Sequence, residues 1–398
     1  MDSKSHIELV DKYSTHNYSP VKVVIARGDG CWLWDVEGTR YFDMMSAYSA
    51  INFGHCNKRF QKRAIAQLES VTMVSRAFLN DQLGPFSKEL AELAGLDAVL
   101  PMNSGAEAVE TAIKGARRWG YQVKGVGKDK AEIICMSNNF AGRTTTIISF
   151  STEDAYKEGF GPFTPGFVIA PFGDLKAIEK LVNKNTVAVL FEPIQGEGGI
   201  IVPPAGFLKG LRELCDKENV LMIADEIQSG LCRAGEVFAC EHENVKPDMY
   251  LLGKSLGGGI TPISAVIGTK KVMDVFTPGS HGSTFGGNSF ACAIAREVIA
   301  YINEEKPQKR AQELGAHLLK RLKVINSPKI SEIRGMGLMF GADIKPEFGK
   351  AKKYCEKLAT LGVLCKDTRE QTIRFTPPIV TSKEDLDWAM DRVAEVLT

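Results

Sequence analysis

Met222-Ile-Ala-Asp225-Glu-Ile-Gln228-Ser-Gly230, followed by Leu251-Leu-Gly-Lys254-Ser-Leu-Gly-Gly-Gly259, decides how this chain folds. Val220 to Ala224 is a wholly apolar run that stops at two carboxylates. That is the pattern of a buried parallel strand whose C-terminal end carries polar groups into a crevice, and open α/β sheets place their ligands at such ends. A second apolar run, Met249 to Leu252, ends in Gly253-Lys254 and a glycine cluster. The two runs predict a carboxylate, Asp225, and an amine, Lys254, on strand ends of one sheet. That arrangement suits a ligand with a cationic ring nitrogen at one end and an aldehyde at the other.

Upstream, the same alternation continues. Strands are expected at Ile133 to Met136 and Val187 to Phe191, and a helix at Phe207 to Asp216, where Phe207, Leu208, Leu211, Leu214 and Cys215 share one face. Ser104 or Asn103 is a good N-cap for a helix carrying Ala106, Val109, Ala112, Ile113 and Ala116. Strands separated by helices argue for right-handed β-α-β units and a mainly parallel sheet. At the N-terminus, Val21 to Ala26 and Cys31 to Val36 read as a hairpin around a turn at Arg27-Gly-Asp-Gly30. After Asn288 the texture changes to helices near Ala291 to Asn303 and 308 to 324, with strands near Ile333 to Ile344 and Val363 to Phe375. The expected organisation is α/β, with a large domain at 45–290 and a smaller α+β domain formed by 1–44 and 291–398 together.

The chain has 398 residues, 44% hydrophobic and 24% charged, ordinary for a globular protein of one large or two unequal domains. Its 49 basic and 48 acidic residues leave a net charge of +1, which gives no electrostatic case for nucleic acid or an anionic membrane. The nine cysteines include no C-x-x-C pair, so neither a disulfide framework, a zinc ribbon nor another metal centre is predicted. Asp2, Glu8 and Asp11 fit neither a secretory leader nor a transit peptide, and no apolar run approaches bilayer length. A cytoplasmic protein acting on small acids or amines is the expectation.

An amine at the end of a buried strand loses charge by desolvation and can form a Schiff base with an aldehyde, which singles out Lys254. Gly253-Lys254-Ser255 also suggests a nucleotide-binding P-loop, but that motif requires glycine where Asp248 stands. A carboxylate such as Asp225 keeps a pyridine nitrogen protonated, although Asp at a strand end is also a common cap. Ser104, Gly105 and Ala106 open a helix whose free N–H groups make a phosphate site. Arg143 offers a planar fork for a carboxylate. His281-Gly-Ser283-Thr284-Phe-Gly-Gly-Asn288 is a polar, glycine-rich loop that no core requires.

Taken together, Asp225-Glu-Ile-Gln228-Ser-Gly230 and Gly253-Lys254-Ser-Leu-Gly-Gly resemble the class III pyridoxal-phosphate (PLP) aminotransferases, which act on ω-amino groups, and the branch acting on ornithine most of all. The resemblance runs from His16-Asn-Tyr18 to Ile373-Arg374-Phe-Thr-Pro-Pro378. It implies the type I fold of PLP-dependent transferases, with Lys254 and Asp225 as catalytic residues and Gln228 as donor to the ring's phenolic oxygen. It implies a phosphate cup at Ser104, Gly105 and Ala106, with Phe140 stacked on the ring. Thr284, helped by Ser283, would reach the phosphate of a neighbouring subunit, making a homodimer with shared sites. Glu197 and Arg374 would form an ion pair that opens for a dicarboxylate, Tyr18 would meet the substrate's α-amino group, and Tyr48 would line the pocket. Several ornithine-acting relatives carry a bulkier residue where this chain has Ala141.

The implied reaction moves the δ-amino group of L-ornithine to 2-oxoglutarate, giving glutamate 5-semialdehyde and glutamate. N-acetylornithine, 4-aminobutyrate and lysine are the rival amino donors, and Tyr18 argues against the acetylated one. A nicotinamide dehydrogenase would need G-x-G-x-x-G, but Leu33 follows Gly28 and Gly30 where the third glycine belongs, and Ile201 follows Gly196 and Gly198. A catalytically silent binding protein of the same fold is the remaining rival.

Overall fold

A computed structural model describes all 398 residues. Its centre is a seven-stranded sheet in the order Ala98–Met102, Ser264–Gly268, Met249–Leu252, Leu221–Asp225, Thr186–Phe191, Glu132–Met136 and Phe167–Ala170. Ser264–Gly268 runs antiparallel to both its neighbours, and the pairings from Met249–Leu252 through to Phe167–Ala170 are parallel. Every residue of Thr186–Phe191 and Leu221–Asp225 is buried, which is why Val187 to Phe191 and Leu221 to Ala224 are apolar throughout rather than alternating.

Helices cover the sheet as the periodicity predicts. Gly105–Trp119 buries Ala108, Val109, Ala112, Ile113, Ala116 and Trp119, and Phe207–Lys217 buries the five residues expected to share its inner face. Leu211, with no exposed surface, shows the scale of these contacts: truncation to Ala would cost about 2–5 kcal/mol. No helix is long and apolar enough to cross a membrane.

Three strands of the large sheet escaped the sequence reading: Ala98–Met102, Phe167–Ala170 and Ser264–Gly268. They are short and flanked by polar loops, so no period develops in them. The N-terminal hairpin is real but displaced. Its first strand is Ile25–Asp29, not Val21 to Ala26, and Arg27 to Asp29, expected to turn, pair with Trp32 to Trp34. There the Arg27 guanidinium lies 3.7 Å from the Trp34 ring centre, and Gly28 sits where a Cβ would come within 2.9 Å of His55.

The two chain ends share structure. Val363-Leu364 pairs parallel with Phe42-Asp43 at the edge of the N-terminal sheet. The region expected as single strands near 333–344 and 363–375 divides into Ile330–Met336, Met339–Ile344, Val363–Leu364, Lys366–Thr368 and Thr372–Phe375. Thr372–Phe375 pairs with Met339–Ile344, with Arg374 opposite Gly341.

Candidate active site

Register in the large sheet brings the chemistry together. Asp225 lies opposite Leu251 on the adjacent parallel strand, so the chain that continues through Gly253 to Lys254 leaves the sheet at the same edge. Asp225 is 6% exposed and accepts one hydrogen bond, from the Ile227 N–H at 3.0 Å. Burial pushes its carboxyl up to about 7. Lys254 has a left-handed backbone, φ +46°, and burial pulls its amine below the ordinary lysine range against the fields of Glu197, Asp225 and Glu192. Burial of this kind favours the neutral amine, the form in which a lysine can act as nucleophile or base.

Glu192 closes the floor. It ends the strand Thr186–Phe191, accepts from the N–H groups of Phe140 at 3.0 Å and Gly196 at 3.1 Å, and is pushed up to about 8 by burial and then by Asp225. Gly196 is required for a plain steric reason, since a Cβ there would come within 1.5 Å of Gln228 Oε1. That Oε1 is buried and has no hydrogen-bond partner, while Gln228 Nε2 donates to Glu197 at 3.4 Å.

A cavity of about 200 Å³ lies between these groups, lined by Gly105, Ala106, Phe140, Glu192, Glu197, Asp225, Gln228 and Lys254 among others. Gly105 and Ala106 are the first residues of a fifteen-residue helix capped by Ser104, whose hydroxyl accepts from the Glu107 N–H while Glu107 accepts from the Ser104 N–H. The cap leaves the first N–H groups and the positive end of the helix dipole toward the cavity.

At the opposite wall, Glu197 and Arg374 form the expected ion pair. Arg374 is 3% exposed. Burial alone would raise the Glu197 carboxyl, but the neighbouring guanidinium outweighs it and holds the group below its ordinary value. The Tyr48 ring sits 4.8 Å from the Arg374 guanidinium carbon. Tyr48 is presented by an uncommon backbone: Ser46, Ala47, Tyr48 and Ser49 all have positive φ, from 46° to 72°. Each such L-residue costs roughly 1–2 kcal/mol. Compensation comes from Asp43, which accepts from the N–H groups of Met45 at 2.8 Å and Ser46 at 2.9 Å, and from Ser46 Oγ, which donates to the Thr376 carbonyl at 2.7 Å.

Other expected residues lie outside the cavity lining. Arg143 is exposed, with its guanidinium carbon 3.5 Å from the Tyr156 ring centre. Tyr18 is 78% exposed. Ser283 accepts from Asn103 Nδ2 at 2.9 Å, Thr284 is exposed, and Phe285 is 58% exposed. Sequence reasoning passed over Ile227 and Gly142, which line the cavity, and Tyr156, which also meets Phe140 edge-on at 6.1 Å. Ile227 was readable as the apolar residue between Asp225 and Gln228; Tyr156, in a short irregular turn, carried no signal.

A model of the aminotransferase class-III family matches residues 13–397. Over 390 residues the chain is 53% identical to the ornithine aminotransferase of Geobacillus sp. (strain WCH70), spanning 98% of this chain and 97% of that one. Among solved structures, an ornithine aminotransferase from Toxoplasma gondii, described with partial occupancy of PLP at its active site, superposes with a TM-score of 0.98 at 44% identity, covering 99% and 94% of the two chains. The acetylornithine aminotransferase of Elizabethkingia anophelis follows at 0.90 and 41%, covering 100% and 99%. With the family match running nearly end to end over a site of this geometry, the chain belongs to the class-III aminotransferases.

Proposed function

We propose that the protein is a PLP-dependent ornithine transaminase, moving the δ-amino group of L-ornithine to 2-oxoglutarate to give glutamate 5-semialdehyde and glutamate. The residues present fit the cofactor. Asp225 is buried with a raised carboxyl and no hydrogen bond from a cation, Gln228 Nε2 makes only a long 3.4 Å bond to Glu197 and has a further N–H to donate, and a helix N-terminus opens on the same cavity. A ring bearing a cationic N–H, a phenolic oxygen and a phosphate answers all three. Asp225 would hold the ring nitrogen, Gln228 the phenolic oxygen, Gly105 and Ala106 the phosphate, and Phe140 one ring face. When bound, PLP supplies an aldehyde that takes up amino groups and a ring that stores the electron pair released at the reacting carbon.

The chain's own residues do the rest. Lys254 Nζ, held toward its neutral form by burial, moves the proton at the reacting carbon: Cδ of ornithine, Cα of glutamate. Arg143 takes the carboxylate far from Lys254, Tyr18 the α-amino group of ornithine, and Tyr48 the pocket wall.

The observation that carries the proposal is the Glu197–Arg374 pair at the cavity wall. A free guanidinium there would draw ornithine's α-carboxylate inward and present the wrong amine. Paired, it is silent toward ornithine; when Glu197 swings aside, Arg374 receives the α-carboxylate of 2-oxoglutarate while Arg143 holds the distal one. The similarity to ornithine aminotransferases over almost the full chain supports this choice of donor. Purified protein supplied with PLP, ornithine and 2-oxoglutarate should yield a semialdehyde trapped by o-aminobenzaldehyde. Absence of that product with an intact, cofactor-loaded protein would refute the proposal.

N-acetylornithine is the second donor to test, because Tyr18 is exposed and the acetylornithine enzyme of E. anophelis is a structural neighbour. Tyr18→Ile should lower kcat/KM for ornithine by roughly tenfold, one lost hydrogen bond to a charged group, while improving 4-aminobutyrate. A wild-type preference for the acetylated donor would reverse the assignment.

We further propose a homodimer in which Thr284, with Ser283, reaches the partner's phosphate; exposure of Thr284 and Phe285 on a glycine-rich loop supports it. Mixing inactive Lys254→Ala and Thr284→Ala proteins should restore activity in hybrid dimers, and no recovery after verified exchange would refute the sharing. The division into a domain at 45–290 and one built from both ends is supported by the pairing of Val363-Leu364 with Phe42-Asp43. Nine unpaired thiols support a cytoplasmic setting.

A further inference from the structure

Arg233 follows the Gln228-Ser-Gly230 segment, is wholly buried, and has no part in the chemistry above. No carboxylate touches it; Asp43 acts on it only through space. Burial pulls its pKa down to about 9, which leaves it a cation at neutral pH. A buried cation persists only when its donors are met, and here they are met by neutral groups from three separate parts of the chain. Nε and Nη2 both donate to Asn52 Oδ1, at 3.0 and 2.6 Å. Nη1 donates to the carbonyls of Leu338 at 2.9 Å and Pro377 at 2.7 Å. Asn52 relays the contact, its Nδ2 donating to the Leu231 carbonyl and to Ser255 Oγ, each at 3.1 Å.

Each end of this network stands next to a group of the site. Asn52 ends the segment that leaves the left-handed turn bearing Tyr48, Pro377 follows the strand bearing Arg374, and Ser255 is the residue after Lys254. An apolar side chain would fill the same space without the desolvation cost. Only a planar, multiply donating fork holds several carbonyl-bearing segments at fixed angles.

On the footing of the carboxylate role given to Arg374 above, we propose that Arg233 and Asn52 are a positioning unit. It fixes Arg374 relative to Lys254 and thereby sets the affinity of the site for dicarboxylates. Asp225, Gly105 and Ala106 are held by their own strand and helix, so cofactor binding does not depend on it.

The test uses the PLP-loaded protein and glutarate, a dicarboxylate with no carbonyl to react. Glutarate binding is followed through the cofactor's absorbance in wild type, Arg233→Lys, Asn52→Ala and the double variant, beside cofactor affinity and hydrogen exchange of residues 372–377. Arg233→Lys keeps the charge and loses the fork, so the glutarate Kd should rise roughly tenfold, as for a carboxylate site displaced by a fraction of an ångström. Asn52→Ala should do the same, and the double variant should lose less than the product of the two because they form one unit. Exchange in 372–377 should quicken while cofactor affinity stays within about twofold. If Arg233→Lys does not fold, Asn52→Ala carries the same comparison. Unchanged glutarate affinity in a folded variant, or glutarate and cofactor affinities falling together, overturns the proposal. An Arg374→Ala control that binds glutarate like wild type overturns the role of Arg374, and the positioning unit with it. None of these readings needs ornithine to react, so failure of the ornithine assignment shows separately.

Discussion

At the Asp225 and Lys254 end of the cavity, Asp225 ends one strand and Lys254 opens the turn directly after its neighbour in the same sheet, with Asp225 in register with Leu251. At the other end, Glu197 comes from a loop after a strand of the large sheet, and Arg374 from a strand of the sheet near the C-terminus. Backbone hydrogen bonds fix Asp225 against Leu251, three residues before Lys254, so the two backbone positions stay in place unless the sheet breaks. The second end is held by an ion pair of side chains, which on the proposed mechanism a rotation of Glu197 would open. One end is therefore suited to a group that stays, the other to substrates that alternate. Separating a buried pair ordinarily leaves a charge alone at a cost of about 3–5 kcal/mol, but in the proposed exchange an incoming carboxylate would replace the departing one on Arg374.

The fixed end should give the largest effects. Lys254→Ala should fold, bind cofactor and lose turnover by about 10⁴-fold or more. Borohydride reduction of wild type with peptide mapping checks the assignment, and label on any other lysine refutes it. Asp225→Ala should retain cofactor through the phosphate site while both half-reactions slow by roughly 10²–10³-fold, the range for removal of one preorganised charge-stabilising group. Half-reactions at wild-type speed would place the ring's partner elsewhere.

The switching end should give smaller and unequal effects. Glu197→Ala leaves Arg374 permanently available, so the glutamate half-reaction should gain on the ornithine one by roughly tenfold, about 1.4 kcal/mol. Stopped-flow comparison of the two decides it: equal losses would make Glu197 a general support and end the contrast between the two walls.

The remaining effect is on stability rather than turnover, and it concerns the cofactor-free protein. Because burial raises the Asp225 carboxyl from 3.8 to about 7, its contribution to stability is full below about pH 4 and is lost as pH rises through about 7. Asp225→Asn should therefore stabilise the cofactor-free protein by roughly 1–3 kcal/mol near pH 8 and leave it unchanged near pH 4. Urea titrations at the two pH values measure this, and a gain equal at both would deny that Asp225 is ionised there.

The contrast between the walls also separates what was legible in the chain from what was not. The fixed end reads from one dimension: apolar runs ending in Asp225 and in Gly253-Lys254, and a capping pattern before Gly105, specify buried strands and a helix start through local chemistry alone. Glu197 and Arg374 are far apart in sequence and bland separately, so their pairing came only from resemblance to a family. The left-handed turn at Ser46 to Ser49 carries no glycine to announce it; it depends on Asp43 and on Thr376, which no local pattern connects. Ala98–Met102 and Ser264–Gly268, too short to show a period, join the sheet through antiparallel pairings with each other and with Met249–Leu252, which no local pattern announces either.

Selective use of one of ornithine's two amines is the central claim, because it is what the pairing of Arg374 is proposed to secure. Isotope transfer measures it directly. Ornithine labelled with ¹⁵N at the δ position, incubated with 2-oxoglutarate and the PLP-loaded protein, should give ¹⁵N-glutamate, while α-labelled ornithine should give unlabelled glutamate and keep its label in the semialdehyde product. Label reaching glutamate from the α position at a comparable rate would contradict the account.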